Sequence, residues 1–274
     1  VQADAQAAAS TIAIRTRVRT LGRARASGLL NFTAIARRAA RQRTRRGRRH
    51  RRAAALSHED FLMYRTLISA AELAALVEGR VAAPPLVIAD CRASLADPGA
   101  GRAAFEAGHL PGAVHLDLET DLSGPPVTNC GRHPLPTDEA LSATFSRIGL
   151  TRDNQLVAYD SDGGAFAARL WWLARYAGVE CAAVLDGGLP AWQAAGYALE
   201  TTESPPTPSA FGPPVRALEV VTLDALAPEQ RRLVDARDAA RYRGEVEPID
   251  PRAGHIPGAV NHPFKANLDG DGRF

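Results

Sequence analysis

Cysteine and methionine are both scarce in this chain. Of its 274 residues only three are cysteines, Cys91, Cys130 and Cys181, and only one is a methionine, Met63. The cysteines form no C-x-x-C pair and are odd in number, which argues against a disulfide scaffold and against a zinc site. We therefore expect no metal and no cofactor, and a reducing compartment such as the cytoplasm.

Long hydrophobic runs are also missing. No apolar stretch approaches the ~20 residues that a helix needs to cross a bilayer, so we expect a soluble protein. The chain is nevertheless 46% hydrophobic. That content is enough to bury a core, and the length indicates one or two domains.

Acidic residues are nearly absent from the first 62 positions. This segment holds 15 arginines against three acidic residues, a net charge of about +12, whereas the rest of the chain carries about −9. It has no sustained hydrophobic periodicity and Met63 follows it, so we predict that 1–62 is a disordered or artefactual extension. Two alternatives stay open. Arginines within 15–52 could bind nucleic acid by displacing counterions from phosphates, and an Arg-rich, acid-poor segment is also typical of a targeting peptide.

One heptapeptide occurs twice. Gly-His-Leu-Pro-Gly-Ala-Val at 108–114 returns as Gly-His-Ile-Pro-Gly-Ala-Val at 254–260, and each copy is preceded by an apolar run that ends in Asp-x-Arg, at 90–92 and at 235–237. Related segments in the same order at one offset indicate a duplicated domain, since solenoid repeats are much shorter.

Helical and strand patterns alternate after Met63. Ser69 and Glu72 have the spacing of a capping box, which predicts a helix to about residue 78. Short apolar runs bounded by turn residues predict buried strands. The predicted strands are 86–89, 113–116, 156–159 and 183–185, and the predicted helices are 102–107, 135–148, 165–176 and a short one around Trp192. Alternating strands and helices predict an α/β fold with a mostly parallel sheet.

Four motifs in order resemble the tandem rhodanese family of thiosulfate and 3-mercaptopyruvate sulfurtransferases. They are Asp-x-Arg at 90–92, the Gly-His-Leu-Pro-Gly heptapeptide, Val-Ala-Tyr-Asp at 157–160 with a glycine-rich loop, and Leu-Asp-Gly-Gly-Leu-Pro-Ala-Trp at 185–192. The resemblance implies a non-catalytic rhodanese-like domain at 63–200, a proline-rich linker at 201–215 and a partial second domain at 216–274. Its implied activity is transfer of sulfane sulfur to a thiol or cyanide through a cysteine persulfide.

The resemblance places the sulfur-carrying cysteine in the loop that joins the strand of the Val-Ala-Tyr-Asp motif to the following helix. In the first domain that position is Asp160, which implies a vestigial site. The repeat offset puts the second-domain counterpart at about residue 306, beyond Phe274. We therefore expect a truncated second domain, no catalytic cysteine present and no activity of this chain alone.

The resemblance also implies three further site residues. Arg241 and Arg252 match the arginines that hold the donor anion, and a guanidinium suits a carboxylate or thiosulfonate oxygen pair. Without the family, both would be interpreted as surface arginines. His109 matches a histidine near the domain interface, which implies a role in proton transfer, but we favour a structural role for both His109 and His255, which would tie the loop to the sheet edge.

Two other functions are weighed against sulfur transfer. One is a non-enzymatic rhodanese-fold module that binds a partner through its interdomain cleft or a polyanion through the basic arm. The other, a phosphatase of the related fold, would need a cysteine-led phosphate loop with an arginine, and the sequence has none.

Overall fold

The computed structural model describes residues 62–127, 131–222, 225–226 and 232–274. The predictions for 1–61 and for Cys130 fall outside these residues. The first unit contains one five-stranded sheet in the order β1-β5-β4-β2-β3, and every neighbouring pair is parallel. Its strands are β1 (Leu67–Ile68), β2 (Leu86–Asp90), β3 (Ala113–His115), β4 (Gln155–Tyr159) and β5 (Ala182–Leu185). The predicted α/β class with a mostly parallel sheet is confirmed.

In the described part of this unit four helices connect the strands and a fifth follows β5, and their ends follow the local sequence. They are α1 (Ala70–Val77), α2 (Ala100–Ala107), α3 (Asp138–Arg147), α4 (Ala167–Ala177) and α5 (Gly188–Ala194). The predicted capping box is present before α1, where the Ser69 hydroxyl and the Glu72 carboxylate satisfy each other's backbone N–H groups. Gly178 ends α4 in the left-handed conformation, which glycine adopts without a Cβ clash.

The sheet is covered on both faces, as a parallel sheet requires. Phe145 of α3 and Leu170 of α4 belong to the apolar cluster on one face. Leu73 of α1, Phe105 of α2 and Trp192 of α5 belong to the cluster on the other. All five residues of the central strand β4 are therefore buried, and the ends of the strands present their loops at one edge of the unit.

The proline-rich segment 201–215 lies along the first unit. Phe211 is buried and its ring meets that of Phe145 edge-on, with the centroids 5.0 Å apart. The Ser209 backbone N–H donates to the carbonyl oxygen of Ser146 at 2.8 Å. These contacts fix the path of the chain between the two units.

The second unit is small, and its elements follow the order of β2, α2 and β3 in the first. It contains β6 (Val234–Asp235), α6 (Ala239–Arg243), β7 (Val260–Asn261) and a short 3-10 helix (Phe264–Asn267), and β6 pairs with β7 in parallel. Its last residues contact the first unit: the Phe274 backbone N–H donates to Asp186 Oδ1 at 2.9 Å. In the part of the chain that is described, no helix is both long and apolar enough to cross a membrane.

Candidate functional site

The Asp-x-Arg motif at the end of β2 forms a buried clasp. Arg92 Nε lies 3.0 and 2.9 Å from the two carboxylate oxygens of Asp90, and Arg92 Nη2 lies 2.6 Å from Oδ2. The same Nη2 donates to the carbonyl oxygen of Gly108 at 2.8 Å. Because Arg92 is two residues after Asp90, its guanidinium lies next to the Asp90 carboxylate. The second N–H of Nη2 binds Gly108, the first residue of the Gly-His-Leu-Pro-Gly turn.

Tyr159 at the end of β4 completes this clasp. Its hydroxyl donates to Asp90 Oδ2 at 2.6 Å and accepts from the Leu110 backbone N–H at 3.2 Å. Burial, and then the neighbouring Asp90 carboxylate, raise the pKa of Tyr159. The hydroxyl is therefore a structural donor to Asp90.

The same clasp is present around the second copy of the motif. Arg237 Nη2 lies 2.6 Å from Asp235 Oδ2 and donates to the carbonyl oxygen of Gly254 at 2.6 Å. The glycines at 112 and 258, which follow the proline of each turn, both have positive φ, at 73° and 84°. Only glycine adopts this region at little cost, so the shared turn depends on these glycines.

The two histidines of the repeated motif also have matching contacts. His109 stacks on Phe105 with the ring centroids 3.8 Å apart, and His255 stacks on Tyr242 at the same distance. Nδ1 of each histidine donates to the carbonyl oxygen of the residue on which it stacks, at 2.8 and 2.7 Å. The two copies of the motif therefore share these side-chain contacts as well as their sequence.

His109 is enclosed in the first unit. It is buried, and its Nε2 has no hydrogen-bond partner, the Glu200 carboxylate being 3.7 Å away. Its backbone N–H and C=O both pair with Glu200, at 2.9 Å. This environment favours the structural interpretation of His109 over proton transfer, since the imidazole does not reach solvent.

The loop after β4 holds a carboxylate in a ring of backbone donors. Asp160 Oδ1 accepts from the N–H groups of Asp162 and Gly164, each at 2.9 Å, and Oδ2 accepts from those of Phe166 and Ala167 at 2.8 and 2.9 Å. Asp160 is fully buried. Backbone N–H groups converging at a helix start form an anion site, and here the anion is a side chain of the same loop.

The surroundings of the two described cysteines disfavour the thiolate form that a nucleophile needs. Cys91 follows β2 inside the core, and its burial raises the pKa of its thiol well above the ordinary value. Cys181 is also buried, which raises its pKa. A nucleophilic cysteine needs the thiolate form, so neither residue is suited to carry sulfur.

Arg241 lies on α6 within a network of acids that sequence reasoning missed. Its Nε and Nη2 lie 3.1 and 2.7 Å from the two oxygens of Glu247, and Nη2 also lies 2.7 Å from Asp250 Oδ2. Arg252, two residues past Asp250, is exposed. Glu247 and Asp250, six and nine residues after Arg241, were the only sign in the sequence of an acidic partner for this arginine. Their spacing does not show that the loop brings them back to α6.

A cleft of about 970 Å³ lies between the two units. The first unit contributes Phe166, Arg169, Trp171 and Trp172 from the Asp160 loop and α4, and the second contributes the segment 264–272 with Arg237 and Asp238. Among the described residues, the side chains of Asp160, Arg241 and Arg252 do not line it. No group of three or more His, Cys, Asp or Glu in the described ranges could hold a metal ion.

The parallel sheet, the Asp-x-Arg clasp and the anion loop after β4 define a rhodanese-type α/β domain. Residues 69–195 match the family model described as a rhodanese-like domain. The chain is 47% identical over 214 residues to a Pseudomonas aeruginosa protein named "Probable 3-mercaptopyruvate sulfurtransferase", covering 76% of this chain and 74% of that one. It is 35% identical over 221 residues to human 3-mercaptopyruvate sulfurtransferase, covering 76% and 72% of the two chains.

Solved structures agree with these sequence matches. A 3-mercaptopyruvate sulfurtransferase from Leishmania major superposes with a TM-score of 0.67 at 31% identity, and the match covers 76% of this chain and 58% of that chain. The chain belongs to the rhodanese family of 3-mercaptopyruvate and thiosulfate sulfurtransferases, which are enzymes.

Proposed function

We propose that the chain belongs to a sulfurtransferase that moves sulfane sulfur from 3-mercaptopyruvate or thiosulfate to a thiol or cyanide through a cysteine persulfide. On this proposal, 63–200 is the non-catalytic unit and 216–274 begins the unit that carries the donor site. The observation that carries the proposal is the anion loop of Asp160, whose four backbone donors surround the position at which the family carries its reactive cysteine.

The repeated contacts support the division into two units. Asp90 with Arg92 and Asp235 with Arg237 make the same fork to a glycine carbonyl, so the same turn precedes β3 in the first unit and β7 in the second. A second loop equivalent to that of Asp160, with cysteine in place of the aspartate, would present the same converging N–H groups to sulfur. These groups stabilise a thiolate or persulfide, as they stabilise the Asp160 carboxylate.

The proposed reaction proceeds in two displacements. The cysteine thiolate attacks the transferable sulfur of the donor, a sulfur–sulfur bond forms, and the bond from that sulfur to the rest of the donor breaks. Pyruvate leaves from 3-mercaptopyruvate after taking up a proton, and sulfite leaves from thiosulfate. The acceptor thiolate or cyanide then attacks the outer sulfur of the persulfide and releases the cysteine thiolate.

The sulfur-carrying cysteine of this proposal is neither Cys91 nor Cys181, because both are buried with raised pKa values. On this proposal Cys130 is not the sulfur carrier either, so the 274-residue polypeptide mixed with donor and cyanide is expected to form no thiocyanate, and human 3-mercaptopyruvate sulfurtransferase serves as the positive control. Turnover that is lost on replacing Cys91, Cys130 or Cys181 would contradict the cysteine assignment. Turnover that survives replacement of all three would overturn the persulfide mechanism.

Donor binding is tested apart from turnover. We propose that Arg241 and Arg252 hold the donor anion. Arg252→Gln is expected to weaken binding of pyruvate about tenfold, measured by calorimetric titration of the 274-residue chain, because a guanidinium–carboxylate bond is charge-assisted. Arg243→Gln is the control, since Arg243 is exposed on α6 and pairs with Glu245. Equal effects of the two replacements would show that only general charge matters.

A further inference from the structure

The guanidinium of Arg241 is already occupied by the chain's own carboxylates. Glu247 takes the edge formed by Nε and Nη2, with both of its oxygens engaged. Asp250 takes the other N–H of Nη2. In the part of the chain that is described, only Nη1 makes no hydrogen bond.

Glu247 is held rigidly in this arrangement. Its side chain is 5% exposed, and its Oε1 also accepts from the backbone N–H groups of Ile249 and Asp250, at 3.2 and 3.0 Å. A second guanidinium, that of Arg237, lies 3.4 Å from Oε2. Burial opposes ionisation, but the hydrogen bonds from Arg241 and from the backbone lower the pKa of Glu247 to about 2. This carboxylate is therefore a fixed part of the loop.

Asp250 is held less tightly and has a second partner. Its side chain is 27% exposed, and its Oδ1 lies 3.3 Å from Nε of Arg132 in the first unit. Asp250 is thus shared between the arginine proposed to bind the donor and an arginine of the other unit. Arg132 is itself exposed, so the carboxylate could move toward it without being buried unpaired.

The geometry of a guanidinium makes Asp250 a direct competitor for the donor. A carboxylate binds in the fork with two parallel N–H bonds from one edge. Since Glu247 holds the Nε–Nη2 edge, only the Nη1–Nη2 edge remains, and Asp250 occupies half of it. A donor anion can engage that edge with both oxygens only when Asp250 leaves.

We propose that Asp250 sets the affinity of the donor site by competing with the donor anion for Arg241, and that Glu247 is a positioning residue that fixes the guanidinium. This inference rests on the proposed role of Arg241. Displacement of Asp250 toward Arg132 would couple donor binding to the contact between the two units. The chemistry recognised is that of a small anion with a planar pair of oxygens, such as a 2-oxo acid.

The test is calorimetric titration of the 274-residue chain with pyruvate at constant ionic strength. Asp250→Asn is expected to bind about tenfold more tightly, because the neutral amide competes weakly for Nη2. Glu247→Gln is expected to bind about tenfold more weakly, because the fork is no longer fixed. Arg241→Gln is expected to remove the gain in the Asp250→Asn background. Glu245→Gln is the matched control, since Glu245 pairs with Arg243 on the exposed side of α6, and it should change nothing.

A second variant separates competition from simple loss of structure. Arg132→Gln removes the other partner of Asp250 and is expected to weaken pyruvate binding severalfold, the opposite direction to Asp250→Asn. In the Asp250→Asn background the same replacement should have no effect, so the two changes are non-additive.

The competition model is overturned if Asp250→Asn binds pyruvate no more tightly than the unaltered chain, or if its gain persists without Arg241. Absence of binding in every variant also overturns it. These outcomes leave the sulfur-transfer proposal standing, because that proposal is tested by thiocyanate formation.

Discussion

Replacing Asp160 with glycine is expected to lower the free energy of unfolding by about 3–5 kcal/mol. The carboxylate is fully buried and accepts four backbone N–H groups, from Asp162 to Ala167. Without it these donors are left buried with no acceptor, and each unsatisfied group costs about 1–3 kcal/mol. Water that enters the space of the missing side chain and accepts from some of these N–H groups lowers the total. The three tryptophans lie at 171, 172 and 192, so tryptophan fluorescence in a denaturant titration follows the unit that contains the loop.

An added carboxylate should restore part of the lost stability of Asp160→Gly. Formate is small enough to occupy the place of the missing side chain, and a ligand that binds only the folded state stabilises it. Formate is therefore expected to raise the denaturation midpoint of the variant but not that of the unaltered chain. Pivalate, a carboxylate too bulky to enter, controls for ionic effects. A variant within about 0.5 kcal/mol of the unaltered chain would show that the four donors find other acceptors.

Replacing Asp90 with alanine is expected to cost a similar amount, about 3–5 kcal/mol. The change leaves the guanidinium of Arg92, whose side chain is only 11% exposed, without its carboxylate, and it removes the acceptor of the Tyr159 hydroxyl. Breaking a buried ion pair by removing one partner is costly because the other charge stays buried. The same fluorescence titration measures the effect.

The repeat supplies the matched control for this prediction. Asp235→Ala removes the equivalent carboxylate, but Arg237 is 24% exposed and has Glu247 as a second acidic partner. The tryptophans are all in the other unit, so Asp235→Ala is expected to leave the fluorescence transition within about 1 kcal/mol of the unaltered chain. Equal shifts for the two replacements would mean that the units unfold as one body and that burial does not distinguish the two clasps.

The sheet could be predicted from the sequence because its strands carry their own signal. β2 and β4 are buried on both faces, which produces continuous apolar runs between turn residues. β1 was not predicted, since Leu67 and Ile68 are too short a run to show a pattern. These two residues form a strand because they pair with β5, and β5 is more than a hundred positions away in the chain.

The parts of the candidate site that belong to the repeated motif could be predicted from the sequence. The contacts made by the loop after α6 could not. Asp-x-Arg stands out because it occurs twice, but nothing in the sequence shows that each arginine reaches a glycine carbonyl 16 or 17 residues later. Glu247 and Asp250 lie in a proline-containing stretch that resembles an exposed loop. Their contact with Arg241 follows from the conformation of that loop, which residue spacing does not encode.

The span of each clasp has a consequence for the order of folding. Arg92 and Gly108 enclose a short loop, and so do Arg237 and Gly254, so closing either loop costs little chain entropy. Contacts between nearby residues also form early in small proteins. Each strand–helix–turn segment can therefore form around its aspartate–arginine pair before strands that are distant in sequence pair with it. The chain then has two separate sites at which folding can begin.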